Sequence, residues 1–77
     1  MKLEQFLDTC NTNTIEIEVY NKYNDCMYEG MLYLIFHNTP DKKGNELSEQ
    51  HRQELLDSTI TAWEVNSDDS LSIFCDY

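Results

Sequence analysis

Three cysteines, two histidines and fifteen carboxylates are the side chains of this 77-residue chain with the means to do chemistry. Cys10, Cys26, Cys75, His37 and His51 are the soft metal ligands on offer. None falls in the C-x2-C or H-x3-H spacing that structural zinc uses, so no metal site is expected. A Cys–His nucleophile pair can be drawn from the same residues, but the local signatures of cysteine enzymes are absent. With fifteen acids in a small fold, some pair sits at a glycosidase-like separation by chance, so paired carboxylates carry no weight. No glycine-rich phosphate loop occurs. Catalysis is therefore not expected, and no cofactor is implied.

Charge is what remains. Fifteen Asp and Glu stand against five Lys and Arg, a net charge of -10 at pH 7. A small domain needs a magnitude of only about 2 to 8 to stay soluble. The excess opposes folding through self-repulsion. Direct nucleic-acid binding has the wrong sign, because such affinity comes largely from Lys and Arg neutralising phosphates. Anionic lipid would likewise repel this surface. The opposite relation fits: carboxylates presented where a nucleic acid presents phosphates, to a basic partner surface. A chain of this length compacts to a diameter of about 30 Å. Duplex DNA carries about 18 charges over that distance. The net charge of -10 is a little over half of that.

Residues 1–77 make one small domain. Apolar residues at 40% and aromatics at 12% suffice for a core and argue against global disorder. No apolar run approaches the roughly 18 residues of a membrane span, and the N-terminus does not read as a signal peptide. An odd number of widely spaced cysteines argues against a disulfide framework. A cytoplasmic location is expected.

The elements that must position the acids follow from periodicity. Leu3, Phe6, Leu7 and Cys10 form one helical face, predicting a helix over 2–10 that the turn-forming 11–13 segment ends. Residues 14–20 alternate strictly, with Ile15, Ile17 and Val19 on one side and Glu16, Glu18 and Tyr20 on the other. A second strand is expected over 26–36, with a bulge or a close backbone approach at Gly30. A loop over 38–46 precedes a second helix over 48–57, with Ser48 as N-cap. Strands over 59–65 and 70–76 flank a turn at 66–69. The order α-β-β-α-β-β predicts an α+β fold: a bent four-stranded antiparallel sheet with two short helices, a small SH3-like barrel being the alternative.

On such a sheet Glu16, Glu18, Glu29, Glu64, Asp68, Asp69 and Asp76 are the candidates for a single acidic partner-binding surface, edged by Tyr20 and Phe74. Carboxylates interleaved with aromatics match a channel built for phosphates and stacked bases. Met31, Tyr33 and Ile35 are a candidate apolar interface, for a homodimer or a partner, if one face of the second strand stays uncovered. In that alternative the domain is a dimerising adaptor and its charge serves solubility alone. Trp63 reads as a core anchor.

A short, strongly acidic chain with a helix over 1–10, a strand over 14–20, then Trp63 and a strand over 71–74 resembles the small proteins of bacteriophages and mobile elements. The anti-CRISPR inhibitors, some of which block Cas nucleases by mimicking DNA, belong to that group. The resemblance lies in size and layout, with no shared motif. It implies a non-catalytic inhibitor acting in a host cytoplasm on a basic nucleic-acid-binding surface, and it transfers no functional residue.

Overall fold

Two hairpins joined along one seam organise the molecule. In a computed structural model, which describes residues 1–10, 14–37, 41–42, 44 and 46–77, the first hairpin pairs β1 (Glu16–Tyr20) with β2 (Cys26–Met31). The second pairs β3 (Ile60–Val65) with β4 (Leu71–Cys75). Helix α1 (Leu3–Asp8) precedes the first hairpin and α2 (Glu49–Asp57) precedes the second. The class is α+β, in the element order expected from the sequence.

Both hairpins close with the same turn. In the first, the Asn21 amide donates to the Asp25 carbonyl at 3.0 Å, and Asn24 takes a φ of 64°. In the second, the Asn66 amide donates to the Ser70 carbonyl at 2.8 Å, and Asp69 takes a φ of 68°. Asn and Asp tolerate this left-handed conformation better than other residues with side chains. The Asn21 side chain adds two bonds, its Oδ1 accepting from the amides of Tyr23 and Asp25, each at 2.9 Å.

The sheet order is β2-β1-β4-β3, and here the expectation of a purely antiparallel sheet is corrected: β1 and β4 run parallel. Parallel neighbours need a crossover connection. The chain supplies one through β2, a 3-10 helix, α2 and β3. The sheet is open rather than closed into an SH3-like barrel, with β2 and β3 at its two edges.

The second strand is also shorter than its apolar run suggested. It stops at Met31, and Leu32–Phe36 coils into a 3-10 helix. Leu32 and Ile35, three apart, become the buried pair, as a helical repeat requires and a strand repeat forbids. At Gly30 the close approach is real: a Cβ there would sit 3.0 Å from the Tyr28 hydroxyl oxygen. That hydroxyl is held in place by donating to the Met31 carbonyl at 2.7 Å.

The helices lie against one face of the sheet. Leu3 and Leu7 of α1 and Leu55 and Leu56 of α2 join Ile17, Val19, Ile73, Cys75, Leu32 and Ile35 in a single core. Each helix is too short to persist alone, so packing holds it. Capping contributes: the Ser48 hydroxyl accepts from the His51 amide at 3.1 Å, and Gln5 Oε1 accepts from the Lys2 amide at 3.1 Å. Trp63 is not the core anchor it resembled in sequence. It lies on the helix-facing side of β3 but is 55% exposed, with Phe6 of α1 against one part of its ring.

The expected turn at 11–13 lies outside the described residues, as do positions 38–40, 43 and 45 of the expected loop. The described remainder of that loop bonds to the outer edge of β2 at Glu29. Asp41 is buried, its Oδ2 accepting from the Glu29 amide at 2.9 Å, while the Lys42 amide donates to the Glu29 carbonyl at 2.8 Å. Replacing Asp41 by Ala removes the partner of a half-buried amide. A loss of about 1–3 kcal/mol is expected, read as a lower urea midpoint at unchanged slope.

Candidate acidic partner-binding face

The sheet face opposite the helices is built from the outward strand positions. Glu16, Glu18 and Tyr20 alternate with buried Ile17 and Val19 on β1. The register then decides which outward residues become neighbours. Glu18 pairs with Glu29 of β2 and with Ser72 of β4, and Ser72 pairs with Glu64 of β3. One row therefore crosses all four strands as Glu29, Glu18, Ser72 and Glu64. With strands about 4.8 Å apart, the row spans roughly 14 Å. Next to it, Tyr20 and Phe74 are register partners whose rings stack with centroids 5.2 Å apart.

The remaining candidates border this row. Glu16 lies one outward position before Glu18 on β1. Asp68, from the second hairpin turn, lines a shallow depression of about 160 Å³ together with Glu16, Glu18, Glu29, Lys42 and Ser70. Asp69 meets Glu16 and Asp68 around a second depression at the end of the sheet. Asp76 follows Phe74 at the next outward position of β4, just beyond the strand, and its amide donates to the Thr59 carbonyl at 2.8 Å. Glu16, Glu18, Glu29 and Asp68 are thus brought together. Glu64 shares the row across β4, while Asp69 and Asp76 sit at two ends of the face.

Glu18 and Glu29 oppose each other directly across the hairpin. Like charges in that relation destabilise a sheet. Three contacts temper the local charge. Lys42 Nζ lies 3.3 Å from both carboxylate oxygens of Glu16. The Tyr20 hydroxyl donates to Glu18 Oε2 at 2.9 Å. Asp68 Oδ1 accepts from the Ser70 hydroxyl at 2.6 Å and the Ser70 amide at 3.1 Å, which holds its carboxyl below the usual range. Ser72 in the row and Ser70 beside it are bonded by Asn66, whose Nδ2 donates to both hydroxyls at 2.9 Å. Lys42, Asn66 and Ser72 are contributors that charge counting overlooks. Signals for Asn66 and Ser72 existed in the turn chemistry and in outward strand parity, whereas Lys42 reaches the face only through tertiary contact.

The apolar candidates do not form one surface. Tyr33 is exposed and Met31 half-buried, but Ile35 is 1% exposed and belongs to the core. Coiling of this segment into a 3-10 helix separates residues that strand alternation would have aligned. Among the thiols, burial pushes Cys10 and Cys75 up, which disfavours the reactive thiolate at neutral pH. His37 and His51 are both exposed. Among the described residues, no three His, Cys, Asp or Glu converge as metal ligands, and no helix is long and apolar enough to cross a membrane.

Tyr20 reports the field of the face. Its pKa is pushed up to about 12, first by burial, then by its hydrogen bond to Glu18 and the charges of Glu18, Cys26 and Glu29. Tyr28, buried near Asp41, is also pushed up to about 12. A tyrosine whose folded pKa exceeds its unfolded value near 10 favours the native state fully below about pH 10. That contribution disappears as pH rises through the folded value of about 12. Thermal unfolding should therefore show the melting temperature falling over that window. Glu18→Gln should bring the Tyr20 phenolate absorbance transition to lower pH, while leaving it raised by the residual burial.

No protein-family model, curated protein or solved structure matches this chain.

Proposed function

We propose that this domain is a non-catalytic acidic inhibitor or interaction protein that occupies the basic nucleic-acid-binding surface of another protein. The observation that supports this most is the transverse row Glu29–Glu18–Ser72–Glu64, flanked by Glu16 and Asp68 on one side and by the stacked Tyr20–Phe74 pair on the other. Along β1, Glu16 and Glu18 are about 6.6 Å apart at ordinary strand rise, and neighbouring strands add carboxylates about 4.8 Å to the side. The result is a compact grid of anionic oxygens beside an aromatic step. A groove lined with Lys and Arg, shaped to hold phosphates and stacked bases, offers the complementary chemistry.

The dimensions suit that role. The molecule measures 30 × 23 × 22 Å, wide enough to block a channel that admits a duplex. Resemblance to anti-CRISPR-type phage proteins makes a Cas nuclease or a restriction enzyme in a host cytoplasm the first setting to examine. The alternative, an adaptor dimerising through Met31, Tyr33, Ile35 and their neighbours, has less support, since Ile35 is in the core.

Binding to such a nuclease should compete with duplex DNA and weaken steeply as salt screens the charges. The double variant Glu18→Lys/Glu29→Lys should weaken it by at least about tenfold, about 1.4 kcal/mol, chiefly through a slower on-rate. Affinity measured across a salt series, with and without competing duplex, checks both points. Binding that persists unchanged at high salt, or that tolerates DNA in the same complex, overturns the proposal.

A further inference from the structure

The two edges of the sheet are treated differently. The β2 edge is engaged at its middle: the outward-pointing Glu29 amide and carbonyl are bonded to Asp41 and Lys42. The β3 edge is covered only at its beginning. There the Ile60 amide donates to the Met1 carbonyl and the Leu3 amide donates to the Ser58 carbonyl, each at 2.9 Å, around a bridge between Lys2 and Thr59. Beyond Ile60, residues 61–65 have β4 on one side, and on the other no described strand is paired to them.

The backbone groups on offer there can be named. The Asn66 amide bonds to the Ser70 carbonyl across the hairpin. Antiparallel pairs alternate between bonded and non-bonded. Counting back from Asn66, Glu64 and Ala62 face β4, while Trp63 and Val65 turn their amides and carbonyls to the open edge. The Ile60 amide also points outward, to Met1, because the register shift between Ile60 and Ala62 reverses the alternation at that point. The side chains here are also uncovered. Trp63 is 55% exposed and Val65 is 62% exposed. A cleft of about 460 Å³ opens beside them, lined by Met1, Phe6, Ile60, Thr61, Ala62 and Trp63, with the Phe6 and Trp63 rings 5.8 Å apart. Unprotected edges are templates for strand addition.

We infer that the β3 edge takes up an extended strand of the partner protein in which Lys or Arg alternates with apolar residues. The alternation follows from the pleat. Outward side chains of an added strand stand beside Glu64, in line with Glu18 and Glu29, and positive charge is complementary there. Inward side chains stand beside Trp63 and Val65 and extend the apolar strip toward the Phe6 cleft. A second copy of this chain is the disfavoured occupant. Each copy carries -10, and β3-to-β3 pairing would set two acidic faces side by side in one sheet. The inference rests on the proposed acidic-face reading for the sign of the partner's charge; the open edge is a separate observation.

The test uses the whole chain and a synthetic peptide of about six residues, an ordinary strand length, alternating Lys with Val. A control peptide has the same composition with its lysines contiguous. Backbone amide exchange by NMR should slow at least about tenfold at Trp63 and Val65 on adding the alternating peptide, with little change at Ala62 and Glu64. The alternating peptide should bind about tenfold more tightly than the control, and Val65→Pro should erase that preference, since it removes an edge donor without touching the β4 ladder. Equal binding of the two peptides with no new protection at Trp63 and Val65 overturns the inference and leaves the acidic face as proposed. Protection that grows with protein concentration alone identifies a second copy on the edge and also overturns it. Protection by the alternating peptide that ignores both salt and Glu18→Lys/Glu29→Lys supports strand addition and sinks the acidic-face reading instead.

Discussion

The parallel seam between β1 and β4 is the constraint on which the rest depends. Each hairpin alone is a two-stranded ribbon, marginal in water. The seam sets Ile17 beside Leu71 and Val19 beside Ile73, and Ile17, Val19 and Ile73 are fully buried. It supplies the floor on which both helices rest. The same register carries Glu18 to Ser72 and so extends the outward row from the first hairpin into the second. Parallel strands are usually covered on both faces. Here the helices cover one, and the other is shielded at the seam by the Tyr20–Phe74 stack and by Asn66 lying over Ser70 and Ser72. Ser72 is only 5% exposed for this reason, although it points away from the core.

Charge and stability pull against each other across that seam. A domain of this size buries about 60% of its unfolded surface and has little stability to spare. Setting Glu18 opposite Glu29 in such a domain is a local conflict that a neutral pair would remove. The chain softens it with the Tyr20 hydroxyl, which donates to Glu18, while Lys42 pairs with neighbouring Glu16. Natural sequences break local rules of this kind mainly where function asks for it. The helical side is acidic too, but there Asp57 finds Lys2 at 3.9 Å, and the remainder resembles an ordinary solvated helix surface. Adjacency enforced by the sheet distinguishes the outward acids from these.

The parts of the fold legible in the sequence were those set by local periodicity. Helix α1, the alternation of β1, the Ser48 cap and the 66–69 turn follow from spacing and turn chemistry that act within a few residues. The parallel seam is not local: nothing within either hairpin states which strand faces its counterpart. The run from Met31 to Phe36 is apolar at every position, so a strand and a helical turn bury it equally well, and the pull of Leu32 and Ile35 into the core decided for the 3-10 helix. Trp63 misled because size suggests burial, whereas burial also needs an element above it. The outward parity of Glu16, Glu18, Glu29 and Glu64 was readable. Their assembly into one row required the register.

Exposure of Trp63 and Val65 follows from the same geometry. The core is centred on β1 and β4, the strands with neighbours on both sides, and α1 is six residues long. A helix of that length rises only about 9 Å. It reaches β3 through Phe6 and goes no further. An edge strand thereby keeps an apolar inward face without a cover, while its outward face carries Glu64 at the end of the acidic row. Burial of Trp63 by a longer helix would have stabilised the monomer. Leaving it uncovered places an apolar strip and an anionic row on opposite faces of one strand. Any extended segment drawn along that edge meets both at once, with its alternate side chains sorted by polarity before a single pocket is filled.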